Sequence, residues 1–191
     1  MTSLPFPKWT ARGQDAAFTA PAKMAQTADR FDRTIRRRNR IEYAAGIFGV
    51  IVSLALAALF AAIGEFAQAA PVSVLGAGFL IVMRNLRRRA SRLDRFPEEP
   101  CIDHLRRQYR QQAHALRSVA GWYVAPLVPG FIAMQAAIVW DTAQVQGWAH
   151  ALAANGWPFV AIAAFLFGVI ALNRWAARGL TRKIDELDAL T

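Results

Sequence analysis

The sequence predicts an all-α polytopic membrane protein: four transmembrane helices in two hairpins, with helical extensions on the cytoplasmic side. Three observations predict it. First, all 23 lysines and arginines fall into three blocks, nine within residues 8–40, ten within 84–117 and four within 174–183. Second, residues 43–64, 66–83, 118–140 and 142–173 carry no formal charge. A helix rises about 1.5 Å per residue, so roughly 20 residues cross a hydrocarbon core about 30 Å thick. Third, basic segments stay on the cytoplasmic side because translocating them is costly. Of the acidic residues only Glu65 and Asp141 fall outside, which divides the net charge of +10 into +12 inside and −2 outside. Topology therefore explains the positive charge, and direct nucleic-acid binding is not expected.

Residues 1–20, with Pro5 and Pro7, are expected to be disordered. A basic cytoplasmic helix is expected over 21–42. Met24, Ala28, Phe31 and Ile35 follow steps of four and three and form one apolar stripe opposite an arginine-rich face. Arg36, Arg37 and Arg38 are expected to anchor this helix at the membrane surface.

The first span is expected at 43–64. Ala45, Gly49, Ser53, Ala57 and Ala61 place small side chains on one face, where another helix can approach closely. The second span of the same chain is the expected partner, and a second copy of the chain is the alternative. A short outer turn at Gly64 and Glu65 leads to the second span, 67–84, with Pro71 in its first turn.

A basic loop and helix follow over 85–117, broken by Pro97 and Pro100. Ile102, Leu105, Tyr109, Gln112, Leu116 and Val119 make a stripe with a polar interruption. The third span, 118–140, contains Pro126 and Pro129, which predict a kink near Leu127. An outer loop is expected at 141–156, the fourth span at 157–174 and a cytoplasmic helix at 175–191. Trp122 and Trp140 lie 18 residues apart, as do Trp157 and Trp175. Each pair spans about 27 Å along a straight helix, so the four rings are expected at the two interfaces.

No catalytic constellation emerges. The predicted spans hold no ionisable residue in their interiors, which disfavours proton-coupled transport. Cys101, the one cysteine, excludes an internal disulfide. With Asp103, His104 and His114 it offers too few ligands for a structural zinc site. No cofactor, metal or enzymatic activity is expected.

Three pieces of sequence stand together. The arginine-rich run through Phe31, Asp32, Arg36, Arg37, Arg38, Asn39 and Arg40 leads into Tyr43, Ala44, Ala45 and Gly46. Leu105-Arg106-Arg107-Gln108-Tyr109-Arg110 precedes Leu116-Arg117-Ser118-Val119 and Trp122-Tyr123-Val124-Ala125-Pro126-Leu127-Val128-Pro129-Gly130. The chain closes with Ile184-Asp185-Glu186-Leu187-Asp188-Ala189-Leu190. This combination resembles a family of small, largely uncharacterised bacterial inner-membrane proteins, often encoded beside extracytoplasmic-function sigma factors. The resemblance implies a role in sigma-factor signalling, as an anti-sigma-like membrane partner. The His-x-x-x-Cys-x-x-Cys pattern of zinc-containing anti-sigma domains is absent here.

The resulting expectation is a non-enzymatic inner-membrane protein, multi-pass, with both termini cytoplasmic. Its cytoplasmic helices form a platform that binds a regulatory partner such as a sigma factor. Phe31, Ile35, Tyr109, Leu116, Ile184 and Leu187 are the expected contacts, the alternative being that they pack only against one another. The lipid bilayer and a second copy of the chain are the other expected partners. A small transporter or channel subunit, moving at the Pro126/Pro129 kink, is the runner-up.

Overall fold

The computed structural model describes residues 21–91, 93 and 99–189, and among these every regular element is helical. The helices are α1 (Pro21–Ala62), α2 (Phe66–Arg89), α3 (Cys101–Arg117), α4 (Val128–Gln146) and α5 (Trp148–Asp188), with a π-helical turn, Ala120–Val124, between α3 and α4. The disorder expected for residues 1–20 lies outside the described residues, as do Pro97 and the side chain of Met24.

α1 is one unbroken helix of 42 residues. At 1.5 Å per residue it extends about 63 Å, roughly twice a hydrocarbon core. It ends where Gly64 takes φ +83°. There the Glu65 N–H donates to the Phe60 carbonyl (2.8 Å) and the Gly64 N–H to Ala61 (3.1 Å). This is a glycine C-cap, which satisfies carbonyls at the helix end.

α2 returns antiparallel along α1. Gly46 faces Met83, Gly49 faces the ring of Phe79, and Gly76 faces Ser53. The small-residue face is thus used within the chain at Gly49 and Ser53, whereas Ala45 and Ala61 stay exposed.

The path from α3 through the π-turn to α4 lies antiparallel along the other side of α2. Gln112 donates to the Ala90 carbonyl at one end (3.2 Å), and Gln68 donates to Asp141 at the other (2.5 Å). Between them Gly78 meets the Pro126 carbonyl and Gly130 meets the Leu75 backbone. α5 then runs back along α4 and α3. Asn155 donates to Thr142 near its start (3.3 Å), Arg117 to Thr181 further on (2.7 Å), and Arg106 pairs with Asp188 at its end (2.6 Å).

Three helices, α1, α2 and α5, are long and apolar enough to cross a membrane. The third apolar run, 118–140, is divided between elements, and proline is the cause. A regular helix would bond the Trp122 carbonyl to the N–H of residue 126, but Pro126 has none. Asn85 of α2 supplies the donor instead, at 2.9 Å. The Ala125 N–H reaches back to Ala120 (2.9 Å), closing the wider π-turn.

The outer loop expected at 141–156 is helical except at Gly147, where φ is +82°. Its polar side chains fold onto their own helices: Thr142 donates to the Ile138 carbonyl (2.8 Å) and Asn155 to Ala151 (2.9 Å). Polarity there marks a helical hairpin rather than a loop.

The two apolar core clusters sit toward the arginine-rich end. One joins Ala28, Leu105, Tyr109, Ile184 and Leu187 of α1, α3 and α5. The other joins Leu86, Ala90, Ala115, Val119 and Trp122. Toward the opposite end large apolar side chains face outward, among them Phe48, Leu54, Phe159 and Phe167, the last 73% exposed.

Candidate functional site

A cavity of about 560 Å³ is lined by residues of all five helices and the π-turn. Small-molecule sites commonly enclose about 300–1,000 Å³. α2 contributes Phe79. The π-turn and α4 contribute Trp122, Tyr123, Val124, Leu127 and Phe131, and α5 contributes Ala161, Ile162, Phe165, Leu166, Val169 and Asn173. α1 adds Arg38 and Glu42 at the polar end, and α3 adds Ala115 and Leu116. The broken third segment lies on its wall, with Trp122, Tyr123 and Val124 of the π-turn in the lining.

The polar end is held by a clip of buried amides. Gln112, 1% exposed, donates to the Ala90 carbonyl and accepts from Arg38 (3.1 Å). Asn39 donates to the same Ala90 carbonyl at 2.9 Å. Gln108, fully buried, donates to Asp32 at 2.6 Å. These bonds fix α1 against α3 and the end of α2. Gln112, the polar interruption in the predicted stripe, is therefore a buried junction of three helices.

Arg38 Nε lies 3.5 Å from the Glu42 carboxylate, one helical turn on. Burial pushes the Glu42 carboxyl up from its ordinary value, and Arg38 pulls it partly back. A carboxyl raised on folding binds protons more tightly in the native state than in the unfolded one. Its contribution to stability is complete below the ordinary carboxylate value and is lost as pH rises through the raised native value. Glu42→Gln is expected to remove that decline and to melt no lower than the parent protein at neutral pH. Melting temperature against pH for both proteins checks this.

Four of the six predicted contact residues come together. Phe31 meets Tyr109 edge-on, with ring centroids 4.6 Å apart. Tyr109, Ile184 and Leu187 share one buried cluster, with Phe31 packed against it. Ile35 is buried as well, and Leu116 lines the cavity. The apolar atoms of this stripe are largely occupied within the chain.

The predicted anchors divide. Arg36 and Arg37 are exposed, but Arg38 turns inward to Gln112 and Glu42. Trp140, Trp157 and Trp175 are exposed. Trp122 is buried at 5% exposure, and its indole N–H donates to the Ala115 carbonyl (2.8 Å). The even spacing of tryptophans assumed a straight helix, and the π-turn removes that assumption.

No family model, curated protein or solved structure matches this chain. Among the described residues no group of three or more His, Cys, Asp or Glu side chains is placed to hold a metal ion. His104 faces Glu99 at 3.3 Å, and Arg107 holds the same carboxylate at 2.8 Å.

Proposed function

We propose that the chain crosses a bacterial inner membrane four times, as two hairpins, with its basic blocks and both termini in the cytoplasm. The observation that carries this reading is register. The broken third segment runs beside α2 from Gln112–Ala90 to Asp141–Gln68, so it covers the same depth as a helix able to span. The outward-facing apolar side chains of α1 and α5 support it, because patches of that extent need lipid or protein to cover them.

In this reading the protein is not an enzyme. Its cytoplasmic ends form a helical platform for a regulatory partner, and the sequence resemblance implies a sigma factor. The support is a division of labour. Apolar side chains such as Tyr109 and Ile184 hold the platform together, while Arg36, Arg37, Arg178 and Arg182 stay exposed to an acidic surface.

Purification of the tagged protein from its native cells in mild detergent, followed by mass spectrometry, tests the partner. Recovery of a sigma factor is expected, abolished by reversing the charge of Arg178 and Arg182 without lowering the melting temperature. Recovery of the protein and lipid alone overturns it. The cavity beside the broken segment favours a second reading, a small transporter, for which ligand-dependent flux in liposomes is the expected signature.

A further inference from the structure

The cavity combines a long apolar section with a charged rim at one end. Phe79, Leu127, Phe131, Ile162, Phe165 and Val169 make the apolar section. The rim carries the Arg38 guanidinium, the Glu42 carboxylate and the Asn173 carboxamide. Glu42 faces Arg38 at 3.5 Å, longer than a charge-assisted hydrogen bond of about 2.7–2.9 Å. Asn173 gives one N–H to the Val169 carbonyl (2.8 Å), and its carboxamide oxygen is an acceptor at the rim. The rim therefore offers two acceptors beside the Arg38 guanidinium, with the Tyr123 phenol also on the lining. An anion alone would meet the Glu42 carboxylate unfavourably. A head with an ammonium next to a phosphate complements both charges, the ammonium at Glu42 and Asn173, the phosphate at Arg38.

We infer that the cavity binds one aminophospholipid of the inner leaflet, an acyl chain between α4 and α5 and the phosphoethanolamine-type head at the Arg38–Glu42 rim. This rests on the membrane reading above. Under that reading the rim lies beside the arginine-rich end, at the level of inner headgroups. Arg38 also joins the clip through Gln112, so an occupied rim would brace the contact between α1 and α3.

The test uses the full chain reconstituted in vesicles of phosphatidylethanolamine or phosphatidylglycerol, each carrying a trace of the same lipid with a photoreactive acyl chain. Crosslinks are mapped by mass spectrometry. Labelling of Ala161, Ile162, Leu166, Val169, Leu127 and Phe131 is expected, stronger with the ethanolamine lipid. Glu42→Gln, which keeps the side-chain shape, is expected to reduce that preference by roughly tenfold, the effect of one charge-assisted bond. Ala161→Trp, which fills the cavity, is expected to remove cavity labelling and to spare outward positions such as Phe159 and Phe167. If Ala161→Trp misfolds, Ile162→Trp serves the same purpose. Equal labelling by the two lipids, or a preference unchanged in Glu42→Gln, overturns the headgroup assignment. Labelling confined to outward faces overturns the site and leaves the membrane reading standing. No labelling anywhere overturns both.

Discussion

Gly78→Ala and Gly130→Ala are expected to force α2 and α4 apart and to destabilise the protein by about 3 kcal/mol or more, at the upper end of overpacking effects. A methyl at Gly78 would lie 2.5 Å from the Pro126 carbonyl oxygen, and one at Gly130 would lie 2.7 Å from Leu75 N and Cα. Both obstacles include main chain, which a rotamer change cannot move. Gly179→Ala and Gly121→Ala are the controls, because a methyl at either meets nothing within 4 Å. Thermal melting in one detergent compares the four. Unchanged melting in Gly78→Ala and Gly130→Ala would show that these helices do not touch as described.

Ile184→Asp is expected to release the end of α5 from α1 and α3. Its side chain is buried among Ala28, Leu105, Tyr109 and Leu187. A carboxylate there would lie among apolar side chains, and an uncompensated buried charge costs roughly 3 kcal/mol or more. The effect is expected to be local, since α2 and α4 join through separate contacts at Gly78 and Gly130. Hydrogen exchange should show lost protection in 177–188 and 102–113 and retained protection in 68–86. Asp185→Ala, at an exposed neighbouring position, is expected to change neither. Retained protection around Tyr109 in Ile184→Asp would place that cluster elsewhere.

Charge and periodicity made the helices legible, because both are local properties. The stripe through Ala28, Phe31 and Ile35 repeats at the helical period and lands on the core side. Pro126 and Pro129 announced an interruption near Leu127, since a proline in a helix interior orphans the carbonyl one turn before it. The form of the interruption was not legible. It depends on Asn85, 37 residues away in sequence, donating to the Trp122 carbonyl. Trp122 turns inward within the same π-turn, and its neighbours there line the cavity. Arg38 likewise reads as one more basic residue beside Arg36 and Arg37. Only the approach of α3 makes its neighbour Gln112 an acceptor.

The most direct test of the four-span reading is the sidedness of the two helix ends joined at each turn. With Cys101, the native cysteine, replaced by serine, single cysteines are placed at Ile63, Arg88, Val145 and Arg182, all exposed positions. A membrane-impermeant maleimide is then applied to intact cells with a permeabilised outer membrane. The four-span reading predicts that Ile63→Cys and Val145→Cys are labelled from outside, and that Arg88→Cys and Arg182→Cys are labelled only after lysis. If Ile63→Cys is labelled but Val145→Cys is protected, the broken third segment does not cross. External labelling of Arg182→Cys in that same pattern would make this a three-span protein and contradict the account.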